Sequence, residues 1–305
     1  MNRRLFLKGF GLAAAGTAAG GARAIERRPS APIESFTFAF FTDVHLRPDL
    51  QAPDGARMAM EVINRSGADF AICGGDHILD GLARSREHVL QQYALYRSIE
   101  KQLRIPVRHV LGNHDIAGVL TQSGMSESDP VYGKALFRQT FDSPTYYRFE
   151  HKGVQFIVLD SIQIAGRGWE PRIDEEQIAW LQRTLDAHRD MMAIVITHVP
   201  LATSISNYYP GSESAIFTPV VNNREIIPLL EQYKVKAVLQ GHTHILEDVE
   251  RHGIHYITGG AVCGNWWHGT HFGDREGVLL VKVAGGSVTT SYAPTGFLTV
   301  DPVRS

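Results

Sequence analysis

The sequence predicts an α/β sandwich whose strand ends converge on one edge. Two observations predict it. Apolar runs of strand length alternate with helical patterns along most of the 305 residues, and five of those runs end directly in short clusters built from Asp, Asn and His. A third observation bounds it: 44% of the chain is hydrophobic and 20% charged, enough for a large core and without the bias of a disordered chain. There is no repeat at solenoid or propeller spacing.

The first 24 residues stand apart. Arg3, Arg4 and Lys8 precede a weakly apolar Gly/Ala run, and Ala22-Arg23-Ala24 has the A-x-A form of a cleavage site. The segment resembles a bacterial twin-arginine export signal cut after Ala24, with an uncleaved membrane anchor as the other reading. The apolar run is well below the roughly 20 residues that span a bilayer, so no integral membrane segment is expected in the mature chain. The resemblance implies the twin-arginine export machinery as a partner and a periplasmic destination. It divides the chain into a signal (1–24), a linker (25–34) and one domain (35–305). Export by that route handles proteins already folded, often ones that have loaded a metal. Loss of Arg3, Arg4, Lys8 and Arg23 takes the formal charge from -2 to -6, because the segment contains no acid. A mildly acidic chain argues against a nucleic-acid-binding surface. Cys73 and Cys263 are too few for a disulfide framework and read as two buried thiols, with a single disulfide open.

Residues 36–42 form a continuous aromatic and β-branched run, a buried strand ending in Asp43-Val44-His45. Side chains two apart in an extended segment point the same way, so Asp43 and His45 can face one ion. A helix over 55–64 follows, with Met58, Val62 and Ile63 on one face. The strand at 68–73 ends in Gly74-Gly75-Asp76-His77, where the glycines allow close backbone approach and one carboxylate can bridge two cations. A helix over 85–103 leads to a strand at 107–110 and then Leu111-Gly112-Asn113-His114-Asp115. That pentapeptide offers an amide oxygen, a proton donor and a group to orient it.

Residues 118–141 read as a polar loop over the site, and 146–160 as a hairpin with a buried second strand. Asp174 opens a helix carrying Ile178, Leu181 and Leu185. The strand at 191–197 ends in His198-Val199-Pro200, where proline blocks continuation. A long loop (201–221) and a short helix (225–233) precede the strand at 235–239 and Gln240-Gly241-His242-Thr243-His244. The remainder is β-rich. Each cluster alone has a bland reading, a turn carboxylate or a helix cap, but five in a row after apolar strands make a site.

A mixed Asp, Asn and His set without cysteine suits two divalent ions such as Mn, Fe, Zn, Co or Mg and argues against structural zinc. The ordered pattern D-x-H, G-D, G-N-H-D, isolated His and G-H-x-H resembles the calcineurin-like metallophosphoesterases over nearly the whole mature chain. The resemblance implies a four-layer αββα sandwich of two mixed β-sheets flanked by helices, with the site at the strand C-terminal ends. It implies that Asp43, His45 and His244 hold one metal, that Asn113, His198 and His242 hold the second, and that Asp76 bridges them. It makes His114 the residue that protonates the leaving oxygen or stabilises charge on the phosphoryl group, with Asp115 as its orienter, and a hydroxide shared by the ions the nucleophile for in-line attack on phosphorus. Purple acid phosphatases carry a tyrosine iron ligand three residues after the bridging Asp; Leu79 stands there, so a coloured iron site is not expected. His77 reads as an exposed or core histidine rather than a contact of the site.

The family's motifs fix the reaction and leave the substrate open. The expected substrate is a small phosphoester, phosphodiesters slightly ahead, as in the cyclic nucleotide and glycerophosphodiester phosphodiesterase branch that the spacing is similar to. Phosphomonoesterase or nucleotide pyrophosphatase activity on the same site is the alternative, and a non-catalytic metal-binding scaffold the more distant one. Tyr208, Tyr209, Trp266, Trp267, His268 and His271 fall in the loops after the His198 and His244 strands. They form either an aromatic rim or packing beneath those loops.

Overall fold

The aromatic run Phe36–Phe41 forms strand β1, and its alternation decides what each face of the first sheet meets. Phe36, Phe38 and Phe40 face a second sheet, while Ala39 and Phe41 pack under helices α1 (Ala52–Arg65) and α2 (Arg86–Glu100). This computed structural model describes residues 32–205 and 218–303, so the stretch expected to be an export signal (1–24), most of the expected linker, Tyr208 and Tyr209 lie outside the described residues.

Strands β2 (Ala71–Cys73) and β3 (Val107–His109) extend β1 in parallel. On its other side β12 (Gly277–Ala284) and β13 (Ser287–Pro294) add antiparallel pairs, completing a five-stranded mixed sheet. The second sheet has six strands. Its parallel centre is β5 (Val154–Val158), β8 (Met192–Ile196), β9 (Val235–Gln240) and β11 (Ile254–Gly259), with β4 (Tyr147–His151) and β10 (Leu246–Arg251) as antiparallel edges. Helices α4 (Glu175–Ala187) and α5 (Asn223–Leu230) cover its outer face through Leu181, Leu185, Ile226 and Leu230. The result is the four-layer αββα sandwich expected, with β1, β2, β5 and β8 phenylalanines and aliphatics between the sheets.

Register is what makes the strand exits coincide. Phe41 pairs with Cys73 and Cys73 with His109 in the first sheet; Val158 pairs with Ile196 and Ile196 with Leu239 in the second. Every parallel strand that precedes a polar cluster therefore stops at the same edge, where open α/β sheets bind ligands.

Three local expectations change. The buried face of α1 is Ala52, Ala56, Ala59, Met60 and Ile63, whereas Met58 is exposed. Alanines carry the close approach of this helix to its sheet, and they do not stand out as an apolar stripe. The loop expected over 118–141 ends in helix α3 (Ala135–Phe141), which buries Leu136 and Phe137. A small hairpin, β6 (Ile162–Ile164) and β7 (Trp169–Pro171), follows β5 where the sequence pattern predicts no strands. Cys73 and Cys263 are free buried thiols.

Candidate metal centre

Eight of the nine predicted site residues are buried where the strands end: Asp43, His45, Asp76, Asn113, Asp115, His198, His242 and His244; His114 is partly exposed. Their polar atoms converge. His45 Nε2 lies 3.0 Å from His244 Nε2, 3.7 Å from Asp43 Oδ1 and 3.5 Å from Asp76 Oδ2. His244 Nε2 is 3.4 Å from Asp43 Oδ1. On the other side His198 Nε2 is 3.2 Å from both Asp76 Oδ2 and Asn113 Oδ1. Asp76 thus stands between two clusters of imidazoles. The groups His45, Asp76, His114 and Asp76, His198, His242 each bring their ligand atoms within 4.8 Å of one another.

The backbone reaches this arrangement by a route that strand patterning does not predict. Asp43 and His45 are not extended: both have positive φ, 54° and 41°, and so have Asp76, His242 and His244 at 54°, 72° and 59°. Non-glycine residues rarely adopt this left-handed conformation, which persists only where the surroundings impose it. Here Asp43 N donates to Gly75 O and His45 N to Asp76 O, both at 3.0 Å, so the exits of β1 and β2 hold one another. Asp43 carboxylate accepts from His242 N at 3.0 Å, which ties β1 to β9 across the two sheets.

Second partners fix the histidine tautomers. His198 Nδ1 donates to Gly74 O at 2.9 Å and His244 Nδ1 to Gly264 O at 2.8 Å, which leaves each Nε2 turned into the pocket. His242 Nε2 is buried with no hydrogen-bond partner. An orphaned imidazole nitrogen beside two buried carboxylates is a donor set that a divalent cation satisfies. Cys263 also comes within range of His45 and His244, but its Sγ sits 3.7 Å from His244 Nδ1, behind the ring. It backs the ligand rather than joining the pocket.

Electrostatics agree with a site for cations. Burial opposes ionisation of Asp76, yet the imidazoles of His198 and His114 hold its carboxyl below the ordinary range. Burial likewise disfavours charge on His198, but the Asp76 carboxylate raises it to about 9. Burial and the charge of His198 push His242 down to about 3, and burial lowers His45 to about 4. Neutral imidazoles and ionised carboxylates are the forms that ligate, and the proton on His198 is one a metal would displace.

Asp115 corrects an expectation. It does not touch the His114 ring, whose Nδ1 donates to Leu79 O at 2.7 Å. Its carboxylate points inward and accepts from the backbone N–H of Asp76, His77 and Gly112 at 2.9, 3.0 and 2.9 Å. Being acceptor-only when ionised, it satisfies three amides that the two tight loops leave unpaired. His77, fully buried, holds Asp115 through Nδ1 at 2.9 Å and meets His109 Nδ1 through Nε2 at 3.2 Å. His77 is therefore a core histidine, as expected, but one joined to the loops of the site.

The rim divides. Trp267 is wholly buried and donates to the carbonyls of Val44 and His45 at 3.1 Å each, so it is packing. Trp266 is half-buried with its ring centroid 3.9 Å from that of His45. His271 packs against His244, and burial lowers it to about 4. His268 turns away, its Nδ1 donating to Asp301 O. Trp169 of the β6–β7 hairpin lies 5.9 Å from the His242 ring, ring centre to ring centre. No signal in its neighbourhood of sequence marks it.

Strand ends of a double sheet gather Asp, Asn and His side chains around the Asp76 carboxylate, the kind of donor set that could hold metal ions. The chain belongs to the calcineurin-like phosphoesterase family, which residues 36–246 match. Among curated proteins it is similar to tartrate-resistant acid phosphatase type 5 of Sus scrofa, 26% identical over 68% of this chain and 62% of that protein. It is also similar to serine/threonine-protein phosphatase CPPED1 of Bos taurus, 24% identical over 80% of this chain and 73% of that one. The match thus spans a little under two thirds of the porcine protein's length. Among solved structures, a dimetal phosphatase from Danio rerio superposes with a TM-score of 0.60 at 16% identity, covering 86% of this chain and all of that one. Purple acid phosphatase PPD1 of yellow lupin superposes at 0.62 and 14% identity, covering 90% and 54%. Those likenesses show the shared fold.

Proposed function

We propose that this chain is an exported, dinuclear metal-dependent phosphoester hydrolase, phosphodiesters slightly preferred. The observation that carries it is Asp76, a buried carboxylate reached from one side by His45 and from the other by His198. In this reading Asp43, His45 and His244 would hold one divalent ion and Asn113, His198 and His242 the other, with Asp76 shared between them. Bound there, the ions supply Lewis acidity and lower the pKa of water at the site.

The chain's own residues do the rest. His114 Nδ1 is committed to the Leu79 carbonyl, so Nε2 is the atom left to give a proton to the leaving oxygen. His114 N donates to Asp76 Oδ1 at 2.7 Å, which sets the distance between the proton donor and the bridging group. Asp115 keeps both loops in place rather than orienting the imidazole. The diester preference rests on the motif spacing, including Asp76 followed by Asp80-Gly81, which is similar to that of the cyclic nucleotide and glycerophosphodiester phosphodiesterase branch. A monoesterase is the second reading, favoured by relatives that are named acid phosphatase and serine/threonine-protein phosphatase.

The twin-arginine address, cleavage after Ala24, the single domain from residue 35 and the periplasmic destination belong to the same proposal and rest on the sequence. Purified mature protein with Mn should hydrolyse members of a panel of bis-p-nitrophenyl phosphate, p-nitrophenyl phosphate, cyclic AMP and a nucleoside diphosphate ester. His114→Ala should keep its metal and lose about 10² to 10⁴ in turnover, whereas Asp76→Ala should lose both ions. Wild-type turnover in both variants would remove the assignment.

A further inference from the structure

We infer that Trp266 is the seat of the leaving group, and that the site selects phosphoesters whose leaving alcohol is an aromatic ring. The inference rests on the hydrolase reading above, because it takes His114 as the proton donor.

Position comes first. The Trp266 ring centroid is 3.9 Å from His45, 5.1 Å from His114 and 5.3 Å from His244. The indole meets the His114 ring edge-on, with the two planes 61° apart. An alcohol oxygen within hydrogen-bond reach of His114 Nε2 carries its first carbons to the neighbourhood of that indole. A flat ring attached there gains the offset or edge-to-face contacts that aromatic pairs prefer, which an alkyl chain gains only in part.

Construction comes second. Trp266 and Trp267 both have positive φ, 54° and 72°, a conformation unfavourable for bulky residues and found where a local task imposes it. The loop that imposes it is built on the first metal motif. Val262 N donates to Thr42 O at 3.0 Å and Cys263 N to Asp43 O at 3.2 Å, while Trp267 N donates to Cys263 O at 2.7 Å. Trp267 Nε1 closes the frame on the carbonyls of Val44 and His45. Burial explains Trp267. It does not explain Trp266, a half-buried indole lying against the imidazoles of His45, His114 and His244.

Chemistry comes third. The indole is neutral, and Trp169 stands on the His242 side. Neither carries a formal charge, and Trp266 offers stacking to a flat leaving group.

The test compares phenyl and n-propyl esters, in the ester class the Mn-loaded wild type hydrolyses, across wild type, Trp266→Leu and Trp266→Phe. Leu keeps apolar bulk and Phe keeps the plane. The phenyl-to-propyl ratio of kcat/KM should fall about tenfold in Trp266→Leu and return in Trp266→Phe. Calorimetry with phenylphosphonate and propylphosphonate should show the same loss and return in binding preference. An unchanged ratio in Trp266→Leu, or a fall that Phe does not restore, overturns the inference. If no ester is hydrolysed yet the phosphonate preference follows Trp266, the hydrolase reading fails and the aromatic seat stands. Hydrolysis with a preference indifferent to Trp266 removes the aromatic seat and leaves the hydrolase reading in place.

Discussion

Of the glycines beside the proposed ligands, Gly112 has the least room. Its N–H donates to Asp115 Oδ2 at 2.9 Å, and a Cβ built on it would overlap the Asp76 carboxylate and backbone nitrogen. The constraint is space, not conformation, because its φ of -100° is open to any residue. Asp76 cannot yield cheaply: its own N–H is held by Asp115, and its Oδ1 accepts from His114 N. Gly112→Ala should therefore push the bridging carboxylate out of position and empty the centre, with at least half of the bound metal lost in elemental analysis. His114→Ala, which keeps the backbone N–H that donates to Asp76 and removes no proposed ligand, should retain it. A Gly112→Ala protein with full metal content and normal turnover would refute the idea that Asp76 is locked. The glycine, the asparagine and both D/H motifs are legible as a set in the sequence because each residue type has a distinct chemical use. The orienting role expected of Asp115 fails because adjacency in sequence says nothing of which way a carboxylate turns in a 3₁₀ turn.

Between elements, a buried imidazole pair joins the exit of β2 to β3 and α2. His109 Nε2 lies 3.4 Å from Glu100 Oε1, its ring stacks on Phe141, and His77 meets its Nδ1. Burial and then the charges of His77, Arg97 and Arg108 hold His109 well below its ordinary value. His77 goes the other way: burial opposes its charge, but the Asp115 carboxylate raises it. Above the unfolded value of about 6.5, His109 is neutral in both states and its contribution is fully present; as pH falls further, the unfolded chain binds a proton that the folded one refuses, and stability is lost. His109→Gln, which keeps a polar partner for His77, should therefore show a shallower drop in Tm between pH 7 and pH 5 than the wild type. Equal drops would mean that His109 is protonated in the folded state. This network is invisible in the sequence because His109 sits inside a strand pattern and Glu100 inside a helix. Strand existence is legible from β-branched and aromatic runs. The α1 face is not, since alanine marks close packing without marking hydrophobicity. Nor is the left-handed backbone at Asp43 and His45, where an extended segment predicts the same convergence.

Across the molecule, the proposed ligands come from two different sheets. Asp43, His45, Asp76 and Asn113 leave the five-stranded sheet, while His198, His242 and His244 leave the six-stranded one. Among the described residues, the hydrogen bonds that cross between these exits include Asp43 with His242 N and His198 with Gly74 O. The pocket buries two carboxylates; burial disfavours charge on His198 and His244, but Asp76 raises the first above the ordinary imidazole value, and Cys263 with Asp43 raises the second. Ions bound there would tie the two sheets together, and a ligand that binds the folded chain but not the unfolded one raises stability by mass action, about 2.7 kcal/mol at one hundred times Kd. Treatment with a chelator should lower Tm by several degrees, and Mn should restore it in a concentration-dependent way. Asp76→Asn, which keeps the shape but weakens the bridge, should blunt that dependence while leaving the chelated Tm close to that of the chelated wild type. The outcome that defeats the proposal is stoichiometric metal binding with no change in Tm, since ligands drawn from both sheets cannot be occupied without opposing their separation.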